Sequence, residues 1–146
     1  MTLEKVKPKK FVLTTPLYYA NDLPHVGSAY TTMIADVISR YKKLKGEEVL
    51  FITGTDEHGQ KIERNAEANN LPAQEHCDRI VSSFKLLWDK LDIQYDRFSR
   101  TTDTQHQKIV YEFFQRVWDN GDIYLSRQQG WYLSLIHISE PTRQAE

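Results

Sequence analysis

The chain reads as an α/β protein built on a parallel sheet, and three stretches of sequence carry that reading. Phe11-Val12-Leu13-Thr14-Thr15 and Val49-Leu50-Phe51-Ile52-Thr53 are apolar, β-branched runs of strand length, the pattern of strands covered on both faces. Between them Tyr30, Met33, Ile34, Val37, Ile38, Tyr41 and Leu44 recur at three- and four-residue steps, as one buried face of an α-helix does. A strand, a helix and a strand in that order cross over right-handedly and leave the two strands parallel neighbours.

Each element has a local reason. Pro16 has no N–H for a ladder and stops the first strand. Gly46 stands where the first helix should end, and Lys42-Lys43-Leu44-Lys45 complements its dipole. Beyond the second strand, Gln60 to Asn69 reads as a short polar helix and Asn70-Leu71-Pro72 as a break. Ala73 to Leu91 reads as a longer helix with one apolar stripe, Cys77, Ile80, Val81, Phe84, Leu87, Trp88 and Leu91. Tyr95 to Ser99 is a candidate third strand, and Asp103 to Trp118 a fourth helix built on Ile109, Val110, Phe113, Phe114 and Val117, ended by Asn120-Gly121. Ile123-Tyr124-Leu125 and Gly130-Trp131-Tyr132 read as strands of a small new element. Leu133 to Glu146 has neither cap nor alternation, and its last thirteen residues resemble translated sequencing-adaptor sequence; residues 133–146 are read as a non-native tail.

At 146 residues, 40% hydrophobic and 27% charged, the chain has the size and composition of one soluble domain. A formal net charge of −1 supplies no global basic field, so any nucleic acid must be held by a local patch or by another part of the protein. The lone Cys77 excludes an internal disulfide framework and a multi-cysteine metal knuckle within this chain, and is read as a small core residue. Residues 1–10 form a basic, Pro-interrupted leader without a signal-peptide core, and no run is long enough to span a bilayer. No membrane and a cytoplasmic setting are expected.

The chemistry is concentrated where strands end. Leu17 to Ser28 runs from the first strand into the first helix, whose leading N–H groups and partial positive charge make an anion site. His25 adds an imidazole donor, and Gly27 removes a side chain that would keep a ligand away. A second polar, Gly-flanked strand end follows at Gly54-Thr55-Asp56-Glu57-His58-Gly59, and the two can face one crevice. Glu57 and His58 are adjacent and lack further ligands nearby, so they are not read as a metal site. His76 and His106 are read as solvated; Tyr30, Tyr41, Trp88, Phe113 and Phe114 are read as core.

Pro24-His25-Val26-Gly27 resembles the first signature of the class I aminoacyl-tRNA synthetases. Thr14-Thr15-Pro16-Leu17-Tyr18-Tyr19-Ala20-Asn21, Ala29-Tyr30-Thr31-Thr32, Ala35-Asp36, Gly54 to Gly59 and Arg100-Thr101-Thr102 narrow the resemblance to the methionyl family. The likeness covers roughly Lys10 to Tyr132. It implies that residues 11–121 form the first half of a Rossmann-like nucleotide-binding catalytic domain and that residues 122–132 begin an inserted connective domain. It further implies that Pro24, His25, Val26, Gly27 and Ser28, the HIGH-type motif, hold ATP with its Mg2+, His25 and Ser28 acting catalytically. Ser28 replaces the second His of the motif name, with shorter reach and no charge. Leu17, Tyr19 and Asp56 match positions of the methionine pocket: the first two to cover the thioether chain, Asp56 to pair with the ammonium.

The implied reaction is attack of the methionine carboxylate on the α-phosphate of ATP, followed by transfer to the terminal adenosine of tRNA(Met). A carboxylate is already ionised at neutral pH, so the first step calls for no general base. The second ATP-gripping loop of the family, the zinc site of its connective domain and the anticodon-binding domain are not in this sequence. The 146-residue chain alone is therefore expected to be inactive and marginally folded. Two other readings remain open here: a smaller nucleotidyltransferase with the same His-x-Gly helix start, and a non-catalytic binding module of synthetase descent.

Overall fold

In chain order the structure, a computed structural model describing residues 8–126, holds β1 (Lys10–Tyr19), α1 (Val26–Leu44), β2 (Glu48–Asp56), α2 (Gln60–Ala68), α3 (Ala73–Lys90), β3 (Arg97–Arg100) and α4 (Thr104–Asp119). The strands form one parallel sheet in the order β1-β2-β3. The α/β class and the parallel crossover are thus as read. Among the described residues, those up to Glu112 make one compact unit and those from Phe113 belong to another.

Pro16 does not end β1. The strand runs on to Tyr19, and the proline sits at a register shift between Thr14 and Leu17, where a missing N–H interrupts no regular ladder. Thr15 fills the gap: its hydroxyl lies 2.9 Å from the Pro16 carbonyl and 2.8 Å from the Thr53 hydroxyl of β2. Pairing then resumes, and Tyr19 stands opposite Asp56. On the other side of β2, a Cβ on Gly54 would lie 1.9 Å from the Ser99 carbonyl oxygen. Only glycine lets β2 and β3 come this close. The ladder of β3 begins at Arg97 rather than at Tyr95, because the Asp96 carboxylate takes the Phe51 N–H at 2.7 Å just below it.

The stripe on α3 is buried as expected. Cys77, Ile80, Val81, Phe84 and Trp88 join Phe51, Ile62, Ala20 and Ile93 in the core, with Leu87 at its margin and Leu91 exposed. Burial also pushes the Cys77 thiol up from its ordinary value.

The face of α1 is the reverse of the one expected. Tyr30, Met33, Ile34, Val37, Ile38, Tyr41 and Leu44 are exposed, and the side turned inward is Ser28, Thr32, Ala35, Asp36 and Ser39. These small residues recur at helical spacing too, and small side chains let a helix lie close to a sheet. Asp36 is held in the interior by Arg40 Nε at 2.6 Å and by the Gln94 N–H at 2.8 Å; Arg40 reaches on to Asp92. The helix stops before Gly46, whose φ of +78° suits a residue without Cβ.

No residue of α4 is buried, so Ile109, Val110, Phe113 and Phe114 are exposed rather than core. Phe114 and Trp118 stack on each other with ring centroids 6.2 Å apart. Of the aromatic residues assigned to the core, Trp88 is there; Tyr30, Tyr41, Phe113 and Phe114 are not. Ile123-Tyr124-Leu125 forms no strand. The remaining expected strand at 130–132, the tail at 133–146 and leader residues 1–7 lie outside the described residues.

Candidate active site

Where β1 gives way to α1, His25 is the N-cap, with extended backbone at φ −118° and ψ 175°. Its Nδ1 accepts the Gly27 N–H at 3.0 Å, and Ser28 Oγ accepts the His25 N–H at 3.4 Å. This is a reciprocal capping box with histidine in the place usually taken by Ser or Thr. It fixes the tautomer of the ring: with Nδ1 accepting, a neutral imidazole carries its proton on Nε2, which is left as a donor. A Cβ on Gly27 would lie 2.9 Å from His25 Cε1. Gly27 therefore makes room for the imidazole, and its amide is not bare but capped.

A cavity of about 520 Å³ opens beside this junction, and Leu17, Tyr19, His25 and Ser28 all line it. Leu17 and Tyr19 are 42% and 62% exposed, apolar surface of the kind a ligand covers. Ser28, by contrast, is 3% exposed and has its hydroxyl committed to the cap. Pro24 is half-buried, and Val26 is exposed.

Asp56 is not in that cavity. It lines a second one of about 330 Å³ with His58, Thr101, His106 and Tyr111. The two are close all the same, since Tyr19 and Asp56 are opposite one another in the ladder and the Ala20 N–H donates to the Asp56 carbonyl at 2.9 Å. The Asp56 side chain is half-buried. The structure thus gathers four of the expected residues around one cavity and sets Asp56 one strand away.

Next to Asp56, Glu57 is buried and enclosed. Arg100 Nε and Nη2 reach its two oxygens at 2.7 and 2.8 Å, and the Thr55 and Thr102 hydroxyls add bonds of 2.6 and 2.5 Å. Arg100 continues to Asp78 at 2.6 Å, and the Glu57 N–H donates to Thr101 Oγ1 at 2.8 Å. Burial alone would raise the Glu57 carboxyl; Arg100 and the two hydroxyls outweigh it and hold the group below its ordinary value. Arg100 is raised in turn by Glu57, and Asp78 is lowered by Arg100. Nothing in the sequence reading gave Glu57 this role, although Arg100-Thr101-Thr102, half of the cluster, was noted there for another reason. Two histidines also differ from expectation. His76 is 7% exposed with Nε2 unpartnered, and His106 is half-buried in the second cavity; neither is simply solvated. Among the described residues no three His, Cys, Asp or Glu side chains converge as metal ligands would.

Similarity to known proteins bears on what this junction is for. A family model described as tRNA synthetases class I (M) matches residues 11–144. A methionine–tRNA ligase of Synechocystis is 67% identical over 122 residues, 84% of this chain and 23% of that protein. The chloroplastic/mitochondrial methionine–tRNA ligase of Arabidopsis thaliana is 58% identical over 122 residues, 84% of this chain and 20% of its own length. A Mycobacterium tuberculosis methionyl-tRNA synthetase solved in complex with methionyl-adenylate superposes with a TM-score of 0.81 at 41% identity, over 85% of this chain and 24% of that one. The chain spans about a quarter of the length of these relatives. A match running through nearly all of the sequence, on a parallel sheet with a histidine-capped crossover helix, leads to one conclusion: the chain belongs to the class I (M) tRNA synthetases.

Proposed function

We propose that this chain is the ATP- and methionine-facing first half of the catalytic domain of a methionine–tRNA ligase. The observation that supports it most is the capped start of α1: His25 Nδ1 is occupied by the Gly27 N–H, which leaves Nε2–H to donate into a cavity that Leu17 and Tyr19 also line. In this reading ATP lies along Pro24-His25-Val26-Gly27-Ser28, and its α-phosphate is attacked in line by the methionine carboxylate while pyrophosphate leaves. His25 Nε2–H stabilises charge on the phosphate oxygens, and Ser28 acts by holding the cap that orients His25. Leu17 and Tyr19 cover the thioether, and Asp56 pairs with the ammonium from the neighbouring strand. Positioning does most of the work.

Mg2+ would enter bound mainly to the phosphate oxygens, as it commonly does with nucleotides. The methionyl group then passes to the terminal adenosine of tRNA(Met), held by parts of the enzyme beyond this chain, in the cytoplasm. Among the described residues no helix is long and apolar enough to cross a membrane. Residues 122–132 are proposed to open the connective domain and residues 133–146 to be foreign to the enzyme.

The test is a chimera. Residues 11–126 of this chain replace their counterparts in the Synechocystis relative, and methionine-dependent ATP–pyrophosphate exchange is measured. Exchange at a rate comparable to the parent enzyme is expected, and the 146-residue chain alone should give none. A folded chimera that binds ATP but exchanges no pyrophosphate in the presence of methionine would sink the reading.

A further inference from the structure

Tyr18 lies on β1 between Leu17 and Tyr19, the two residues of that strand assigned to the methionine pocket. We propose that Tyr18 is a positioning residue for adenylate formation, setting the first turn of α1 against β1 through its hydroxyl; this rests on the methionine-activating reading above.

The Tyr18 hydroxyl lies 2.8 Å from Thr32 Oγ1 and 3.3 Å from the Ser28 carbonyl oxygen. Thr32 Oγ1 itself donates to that carbonyl at 2.9 Å. The Tyr18 and Thr32 hydroxyls each have one proton, and both reach the Ser28 carbonyl. The two shorter bonds, 2.8 and 2.9 Å, are made together when Tyr18 O–H donates to Thr32 and Thr32 Oγ–H to the Ser28 C=O. In either direction the phenol is bonded to the first turn of α1. Ser28 in turn accepts the His25 N–H. Two residues therefore separate the phenol from the capping histidine, and the helix turn between them is fixed from below.

The anchor at the other end does not belong to α1. The Tyr18 ring stacks on Phe84 of α3, with centroids 5.4 Å apart and planes 10° from parallel, and it leans on Trp88 at 6.0 Å. Both partners are 2% exposed or less. Packing against α3 thus sets where the phenol oxygen stands, and the first turn of α1 is registered to it. Phenylalanine would keep the stack and lose only the hydroxyl, so the role of the hydroxyl can be separated from that of the ring.

The experiment uses the segment-exchanged Synechocystis enzyme with Tyr18→Phe, Thr32→Val and both. Thr32→Val breaks the same chain from the helix side and serves should the first variant fold poorly. Misplacing a reacting group costs turnover more than ground-state affinity, so kcat for exchange should fall about tenfold while KM for methionine and ATP stays within about twofold. The double variant should be no slower than the slower single variant, because both cut one chain. A kcat within about twofold of the parent in both single variants, or losses that multiply in the double variant, overturns the proposal. An unmutated chimera that exchanges no pyrophosphate overturns the methionine-activating reading, and this inference with it.

Discussion

The ends of β1 and β2 sit side by side in the sheet and use their polar groups in opposite ways. At the end of β2, Glu57 is closed in by Arg100, Thr55 and Thr102, leaving that carboxylate none of its surface for a ligand. Past the end of β1, His25 lines a cavity and uses one ring nitrogen for the helix cap, which leaves the other outside that bond. The first arrangement serves rigidity, because a buried ion pair stripped of one member leaves the other stranded. In the proposed function the second serves recognition, because a donor fixed in tautomer at a helix start needs no reorganisation when charge develops beside it. Asp56 lies between the two regimes, on the rigid strand but half-buried and turned to its own cavity.

Substitutions can break this contrast, starting with Glu57→Gln. Removing one charge of the buried pair should destabilise the chimera by about 3 kcal/mol, the low end for such pairs because Arg100 keeps Asp78; chemical denaturation measures it. His25→Ala should do the reverse, lowering exchange by about 10²–10³-fold while costing about 1 kcal/mol of stability through loss of the cap. Equal effects of the two variants on stability would erase the distinction between the ends. Gly27→Ala sharpens it further: a methyl 2.9 Å from His25 Cε1 must displace the ring, so exchange should fall about tenfold with a stability change below about 1 kcal/mol.

A smaller signature is in pH. Glu57 is held below its ordinary value in the folded state, so its stabilisation is complete above the unfolded value and is lost as pH falls through the folded one. The acid limb of the chimera's thermal midpoint should flatten in Glu57→Gln and stay unchanged in His25→Ala. A limb of the same slope in all three proteins would assign acid sensitivity to other carboxylates.

How much of this was legible beforehand depends on what each signal measures. Strand, helix, strand was legible because β-branched runs and three- and four-residue steps report backbone conformation directly. The face of α3 was legible for a second reason: its apolar stripe is the one that packs. On α1 the same rule misled, because two stripes share the helix and the one of small residues, with Asp36 among them, lies against the rest of the fold. Periodicity finds a face; it does not say which neighbour covers it. The His25 and Gly27 junction was legible from residue type and position, yet the bond between them was not, since a histidine cap has no strong sequence habit. Pro16 misled because the rule against proline in strands holds for regular ladders, and here the ladder slips one step. The Glu57 cluster was illegible from local pattern, as Arg100, Thr101 and Thr102 lie 43 to 45 residues from Glu57.

Asp36 joins two distances along the chain. Its bond to Arg40 spans one helical turn, whereas the Gln94 N–H lies 58 residues downstream. One side chain thus joins a local bond to a long-range one, and the loop it closes contains β2, α2 and α3.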